Sequence, residues 1–216
     1  MNREDFKMLE DEIVYFDNGA TTLKPKVVKD AVVSYYDLYT SNIHRGDYKL
    51  SVMVDEMYDN VRKKVCDFIG AKEVSEIVFT SGTTDSLNMI VNGYFRKHLK
   101  KDDEVLITVS EHASNILPWF KLQNDIVIKV KYIELDNDYK VTIDNVKKEI
   151  SDKTKVISLA HITNVVGDVR PIKEISRLAH DNNILMVVDA AQSVGHNSID
   201  VVDMDIDFMA FSAHKM

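Results

Sequence analysis

One apolar run ends in a carboxylate, Ile184-Leu-Met-Val-Val-Asp189, and a second, Ile206-Asp-Phe-Met-Ala-Phe211, leads into Ser212-Ala-His-Lys215. A carboxylate at the end of a buried strand is partly desolvated and stays charged only beside a cation or several donors. A protonated pyridine nitrogen is one such cation. A Mg²⁺ ion or a phosphoacceptor role suits the same pattern, so Asp189 alone leaves the chemistry open. Lys215 narrows it, because a lysine placed among desolvating or cationic groups gains the nucleophilicity that imine formation requires. Together, a strand-end aspartate and a strand-end lysine are the pair needed to hold the ring nitrogen and the aldehyde carbon of pyridoxal phosphate.

Other polar residues sit where they can assist. In Phe79-Thr-Ser-Gly-Thr-Thr-Asp85 the glycine permits a tight turn. The helix that follows presents N–H groups to a phosphate, and the Thr83 and Thr84 hydroxyls add donors. The same stretch also reads as an ordinary turn and N-cap. It is neither a Walker loop nor a dinucleotide fingerprint. Ser212 and His214 can donate to a phosphate while the Lys215 amine faces the site. His112, in Ser110-Glu-His-Ala-Ser114, follows a strand and is either a helix-start residue or a ring that stacks on a planar cofactor and moves protons. Asn164, in His161-Ile-Thr-Asn-Val-Val-Gly167, either donates to a ring oxygen or a substrate carboxylate, or shapes a turn. His44-Arg45-Gly46 reads as a loop. His98, His180 and His196 read as surface residues, and no spacing suggests a metal trio.

These residues need strands to place them. Short runs rich in Val and Ile at Glu76–Thr80, Glu104–Val109, Ile126–Ile133, Lys155–Ala160, Ile184–Asp189 and Ile206–Phe211 predict strands of a parallel sheet covered on both faces. Helical patterns alternate with them at Thr84–Leu99, Asn115–Gln123, Ile143–Ile150 and Ile172–Asp181, which predicts an α/β layered fold. Residues 1–75 differ, with helices predicted over Pro25–Tyr39 and Ser51–Ile69 and a stop at Gly70. No Pro/Gly-rich linker separates residues 1–75 from residues 76–216, so the two are expected to form one structural unit.

Composition excludes several classes. The 216 residues carry a net charge of −8 and no basic cluster beyond Lys63-Lys64 and Lys100-Lys101, which argues against a nucleic-acid partner. No apolar run approaches the ~20 residues of a membrane span, and the amino terminus has no apolar signal segment. A cytoplasmic protein is expected. The single cysteine, Cys66, rules out an internal disulfide framework and a multi-thiolate metal site, and its place in an amphipathic helix predicts a structural role.

Six segments, in order, resemble the group II cysteine desulfurases within the class V aminotransferases of fold type I. They are Asn42-Ile-His-Arg-Gly46, Gly82-Thr-Thr-Asp85, Glu111-His-Ala-Ser-Asn115, Thr163-Asn-Val-Val-Gly167, Val188-Asp-Ala-Ala-Gln192 and Ser212-Ala-His-Lys215. The resemblance implies pyridoxal 5′-phosphate as cofactor and L-cysteine, or L-selenocysteine, as small-molecule substrate. Lys215 would be the Schiff-base lysine and move the Cα proton. Asp189 would keep the ring nitrogen protonated, His112 would stack on the ring, and Gln192 would bond its phenolic oxygen. Thr83, Thr84, Ser212 and His214 would surround the phosphate, with Asn164 and His44 toward the substrate. An enzyme cysteine would take the sulfur as a persulfide, leaving L-alanine, in sulfur metabolism such as iron–sulfur cluster assembly. A homodimer and a sulfur-acceptor protein are expected of the full-length enzyme.

The resemblance departs from the family in two ways. Asp85 stands where many relatives carry glutamate. The family's nucleophilic cysteine, its carboxylate-binding arginine and its small carboxyl-terminal domain lie beyond the Schiff-base lysine, and Cys66 is not placed to replace that cysteine. The expectation is therefore an incomplete fold type I large domain that is inactive alone. Other class V enzymes (selenocysteine lyase, an aminotransferase, an epimerase) and a catalytically inactive product are the alternatives.

Overall fold

A computed structural model describes residues 2–10 and 12–216. They divide into two compact units, one of residues up to Ile77 with Lys215, the other of Val78–His214 with Met216. In the first unit, α1 (Lys26–Ser34) runs into a π-helical turn at Tyr35–Tyr39, and α2 (Lys49–Ile69) follows. Gly70 ends α2 in the left-handed region at φ 68°. There the N–H of Ala71 reaches back to the Cys66 carbonyl at 3.0 Å and satisfies an otherwise orphaned helix-end acceptor. The buried Cys66 thiol donates to the Ala71 carbonyl at 3.3 Å, so it serves the same helix end.

In the second unit the strands are β1 (Glu104–Ile107), β2 (Lys129–Tyr132), β3 (Thr154–Ala160), β4 (Leu185–Asp189) and β5 (Phe208–Ala210). All pairs are parallel, in the order β2-β1-β3-β4-β5. The chain goes outward from β1 to β2 and then returns to β3 on the other side of β1. In open α/β sheets such a reversal leaves a crevice at the carboxyl ends of the strands. The edge strand β2 keeps two lysines, Lys129 and Lys131, which discourages pairing with another chain.

Helices cover both faces. On one side lie α3 (Thr83–Met89), its π-helical continuation Ile90–Phe95, the short α4 (Arg96–His98) and α5 (Ala113–Ile126). Leu87, Val91, Phe95 and Leu99, four residues apart, pack with Trp119 and Leu122 onto Val105, Ile107, Val156, Val187 and Ala210. Four-residue spacing keeps side chains on one helix face, and each large side chain so buried contributes about 1.5–3 kcal/mol. On the other side lie α6 (Ile143–Glu149) and α7 (Ile172–Asp181), with Ile172, Ile175 and Ala179 buried. No helix among the described residues is long and apolar enough to cross a membrane.

The strand predicted over Glu76–Thr80 does not form. Val74–Glu76 is a 3₁₀ turn, and Val78 and Phe79, 63% and 41% exposed, join no ladder. Val- and Phe-rich segments become strands only beside a neighbour whose N–H and C=O groups face them, and β5 bonds to β4 alone. The predicted start of β2 also moves, because α5 runs on to Ile126 and closes at Val127 in the left-handed region.

One surface cluster ties α7 to the loop before β5. The His180 ring faces Asp205 through Nδ1 at 2.7 Å and Asp207 through Nε2 at 2.8 Å, and Asp207 also accepts from the Met186 N–H at 2.7 Å. Two carboxylates can be served only by a doubly protonated ring. Burial disfavours that charge, but the hydrogen bonds and attraction of Asp207 and Asp205 outweigh it, so the His180 pKa is raised. A raised histidine pKa contributes stability that is full below its unfolded value of about 6.5 and disappears as pH climbs through the folded value. We predict that His180→Gln costs about 1 kcal/mol at pH ~6, after allowance for partial exposure, and markedly less at pH ~8.5. Urea unfolding at both values checks this, and an equal cost at both would contradict it.

Candidate active site

Because the strands are parallel, their carboxyl ends share one edge of the sheet. The register aligns Ala160, Asp189 and Ala210 across β3, β4 and β5. The segments leaving that edge carry His112 after β1, Asn164 after β3, Gln192 after β4, and Ser212 and His214 after β5.

At the β5 end an open cleft of about 410 Å³ is lined by Ser81, Gly82, Thr83, Thr84, Asp85, Asn88, Ser212 and His214. Its floor is a non-local hydrogen bond. The buried Ser212 hydroxyl accepts from the Thr83 N–H at 2.8 Å and shares a second bond of 2.7 Å with the Thr83 hydroxyl. Gly82 makes this approach possible, at φ +134° where side chains are strained and with an added Cβ falling 3.3 Å from the Ser212 oxygen. Opposite, the Asp85 carboxylate accepts from the Ser81 N–H at 3.2 Å and braces the turn. N–H groups and hydroxyls around a helix start make a site for an oxyanion.

His112 caps α5. Its Nδ1 accepts from the Ser114 N–H at 3.1 Å, and a backbone N–H can only donate, so the neutral ring carries its proton on Nε2. The Ser114 hydroxyl, 3.0 Å from the same Nδ1, also donates to it. The Thr84 hydroxyl, 2.7 Å from that of Ser114, is then left as the donor in their bond. In this state Thr84 therefore orients Ser114 and His112 rather than pointing a proton into the cleft.

Asp189 is the last residue of β4 and 4% exposed, and its Oδ1 accepts from the Ala191 N–H at 3.0 Å. Gln192 lies half-buried in the turn that follows. Asn164 is exposed in a tight turn closed by the Gly167 N–H on the Thr163 carbonyl at 3.1 Å. His214 is exposed and Lys215 half-buried in the 3₁₀ turn Ala213–Lys215. His44 belongs to the first unit, where its backbone N–H donates to Asp55 at 2.7 Å and its ring meets Tyr58 edge-on at 6.0 Å. His161, at the end of β3, is held below the ordinary histidine pKa by burial, which keeps its ring neutral. Among the described residues no cluster could hold a metal ion.

Two charged residues given no role from sequence lie directly behind His112. The side chains of Glu111 and Arg170 are fully buried and form an ion pair through Arg170 Nη1. The Glu111 carboxylate also accepts from the Thr108 hydroxyl at 2.7 Å, the Asn115 amide at 2.9 Å and the Ala160 N–H at 2.6 Å. Arg170 Nη2 donates to Thr108 at 2.9 Å and Ser110 at 2.7 Å. The available signal was faint: a charged residue at each of two strand-flanking positions, far apart in sequence.

An all-parallel sheet with helices on both faces, a polar cleft and a buried aspartate at its carboxyl edge defines an α/β domain with a ligand crevice at that edge. The family model described as Aminotransferase class-V matches residues 14–216, and the chain belongs to that family. A probable cysteine desulfurase of Halalkalibacterium halodurans is 41% identical over 98% of this chain and 53% of its own length. The apo structure of a cysteine desulfurase from Thermococcus onnurineus superimposes with a TM-score of 0.93 at 40% identity, over 98% of this chain and 52% of that one. The cysteine desulfurase CsdA of Escherichia coli, solved as its S-sulfonic acid, gives a TM-score of 0.90 at 33% identity, over 99% of this chain and 53% of that one. The chain thus spans about half the length of the relatives it matches, within a fold type I architecture.

The Ser212–Thr83 contact yields a prediction. Ser212→Ala leaves a buried N–H and a buried hydroxyl short of a partner and should cost about 1–3 kcal/mol. Thr84→Ala, at an exposed hydroxyl, should stay within about 0.5 kcal/mol. Denaturant unfolding of both variants checks the contrast, and equal costs would show that the cleft floor does not depend on Ser212.

Proposed function

We propose that this chain provides the cofactor-binding half of a pyridoxal 5′-phosphate-dependent cysteine desulfurase. The observation that carries the reading is the buried Asp189, in register with Ala210, which precedes Ser212 by two residues. The residues fit the cofactor. The cleft of Thr83, Thr84, Ser212 and His214 suits a phosphate, and a buried carboxylate at the same sheet edge suits a protonated ring nitrogen.

When bound, pyridoxal phosphate supplies an electron sink that stabilises negative charge on the substrate α-carbon. Asp189 would favour the protonated ring nitrogen, which keeps that sink effective. Lys215 would hold the aldehyde end of the cofactor and supply the amine for α-proton movement. His112, its neutral-ring proton on Nε2, would stack on the ring and assist proton transfer. Gln192 would bond the phenolic oxygen, and Asn164 and His44 would serve the substrate end. In the overall reaction a thiolate takes the sulfur of L-cysteine, giving L-alanine and a persulfide. Cys66 is buried and engaged with its own helix end, so the attacking thiolate comes from outside these 216 residues. The full-length enzyme would act as a cytoplasmic homodimer and pass sulfur to an acceptor protein, in iron–sulfur cluster assembly.

The test is spectroscopic. Addition of pyridoxal phosphate should give a visible absorbance band that survives dialysis, is absent in Lys215→Ala and is weakened or shifted in Asp189→Asn. A dialysis-resistant band of equal intensity in Lys215→Ala would overturn the assignment.

A further inference from the structure

The buried Glu111–Arg170 pair takes no part in the chemistry above, yet it bonds the segment leading to His112, the first turn of α5 and the end of β3. Removing two charges from water is costly, and a well-packed apolar pair often stabilises a fold as well or better. What an ion pair adds is direction. Glu111 immediately precedes His112, and its carboxylate binds the Ala160 N–H at the end of β3 and the Asn115 amide in the first turn of α5. Asn115 is itself held by the Ser158 hydroxyl of β3 at 2.7 Å. The start of α5, with His112 as its cap, is therefore pinned to β3.

Arg170 closes the arrangement from the other side. Its fork bridges Thr108 and Ser110 of the segment leading to His112 and the Ala160 carbonyl at 3.3 Å. Its Nε stands 3.9 Å from Asp168, at the base of the turn bearing Asn164. Its backbone N–H donates to the His161 carbonyl at 2.9 Å, and the His161 N–H donates to the Asp189 carbonyl at 2.9 Å. The guanidinium thus ties the segment leading to His112 to the end of β3, while the backbone of Arg170 and His161 reaches the strand end that presents Asp189. Nη1 and Nη2 make these bonds together, as a planar fork allows, while Nε has no hydrogen-bond partner among the described residues.

We propose that Glu111 and Arg170 are positioning residues that set the ring orientation and tautomer of His112 by fixing the start of α5 and the segment before it against the end of β3. The proposal deepens the functional reading above and rests on it for the role of His112, but the geometry it asserts is measurable without cofactor. Nitrogen-15 NMR of the histidine-labelled protein, with the His112 signals assigned by their loss in His112→Gln, reports which ring nitrogen carries the proton. The wild type should show a single Nε2–H tautomer at a pH where the ring is neutral. The double variant Glu111→Gln/Arg170→Met removes both charges and so leaves neither one unpaired. It should remain folded by circular dichroism while His112 becomes a mixture of tautomers. Arg170→Lys keeps the charge but not the fork, guards against a double variant that fails to fold, and should also lose the single tautomer. A folded double variant, or a folded Arg170→Lys, with the wild-type His112 signature would overturn the proposal. Absence of any pyridoxal phosphate band in the wild type would instead remove the functional reading and leave the NMR result standing.

Discussion

The carboxyl edge of the sheet is governed by one constraint: apolar strands end there on charged and hydrogen-bonding groups that water does not reach, and leaving such a group unpaired is costly. Glu111, Arg170 and Asp189 are all nearly or fully buried. The carboxylate of Glu111 takes up the Ala160 N–H as β3 runs out, and Asp189 takes up the Ala191 N–H as β4 does. Ser212 does the same for the start of α3 through Thr83. Satisfying the strand ends therefore builds the site. The bonds that spare buried groups their desolvation cost also bring His112, Asn164, Asp189 and the Thr83–Ser212 cleft to one edge.

The same constraint separates what the sequence made legible from what it did not. The strands β3 and β4 and the helix α7 were read almost residue by residue, because their apolar runs and spacing are local signals with strong periodicity. Asp189 was legible as a carboxylate closing an apolar run. The segment Glu76–Thr80 carried the same signal and formed no strand, since a strand depends on a neighbour that composition does not encode. Glu111 and Arg170 escaped notice because their partnership spans 59 residues and appears only once β1 and β3 lie side by side. Thr83 and Ser212, 129 residues apart, were both anticipated as phosphate neighbours, whereas their bond to each other was not. Thr84 illustrates a finer limit: its residue type suggested a donor to the cleft, and the capping geometry of His112 directs its proton elsewhere.

Membership in the class-V aminotransferase family and the cysteine desulfurase relatives agree with a site whose groups divide the work by chemistry. Hydroxyls and N–H groups at the start of α3 suit an anion, a buried carboxylate suits a cation, and an imidazole of defined tautomer sits at the cap of α5. No part of the described second unit offers a thiol, and the one cysteine of the chain is spent on ending α2. Under the proposed function, these residues would bind the cofactor and move protons, and a thiolate other than Cys66 would capture the sulfur.

Its central claim, that Lys215 is the covalent anchor of pyridoxal phosphate, is tested most directly by chemical trapping. The protein is incubated with the cofactor and reduced with borohydride, and its peptides are mapped by mass spectrometry. The account predicts a phosphopyridoxyl group on the peptide containing Lys215 at one equivalent per chain, with other lysines unlabelled. Label distributed over surface lysines such as Lys63 and Lys100, with Lys215 unmodified, would contradict it.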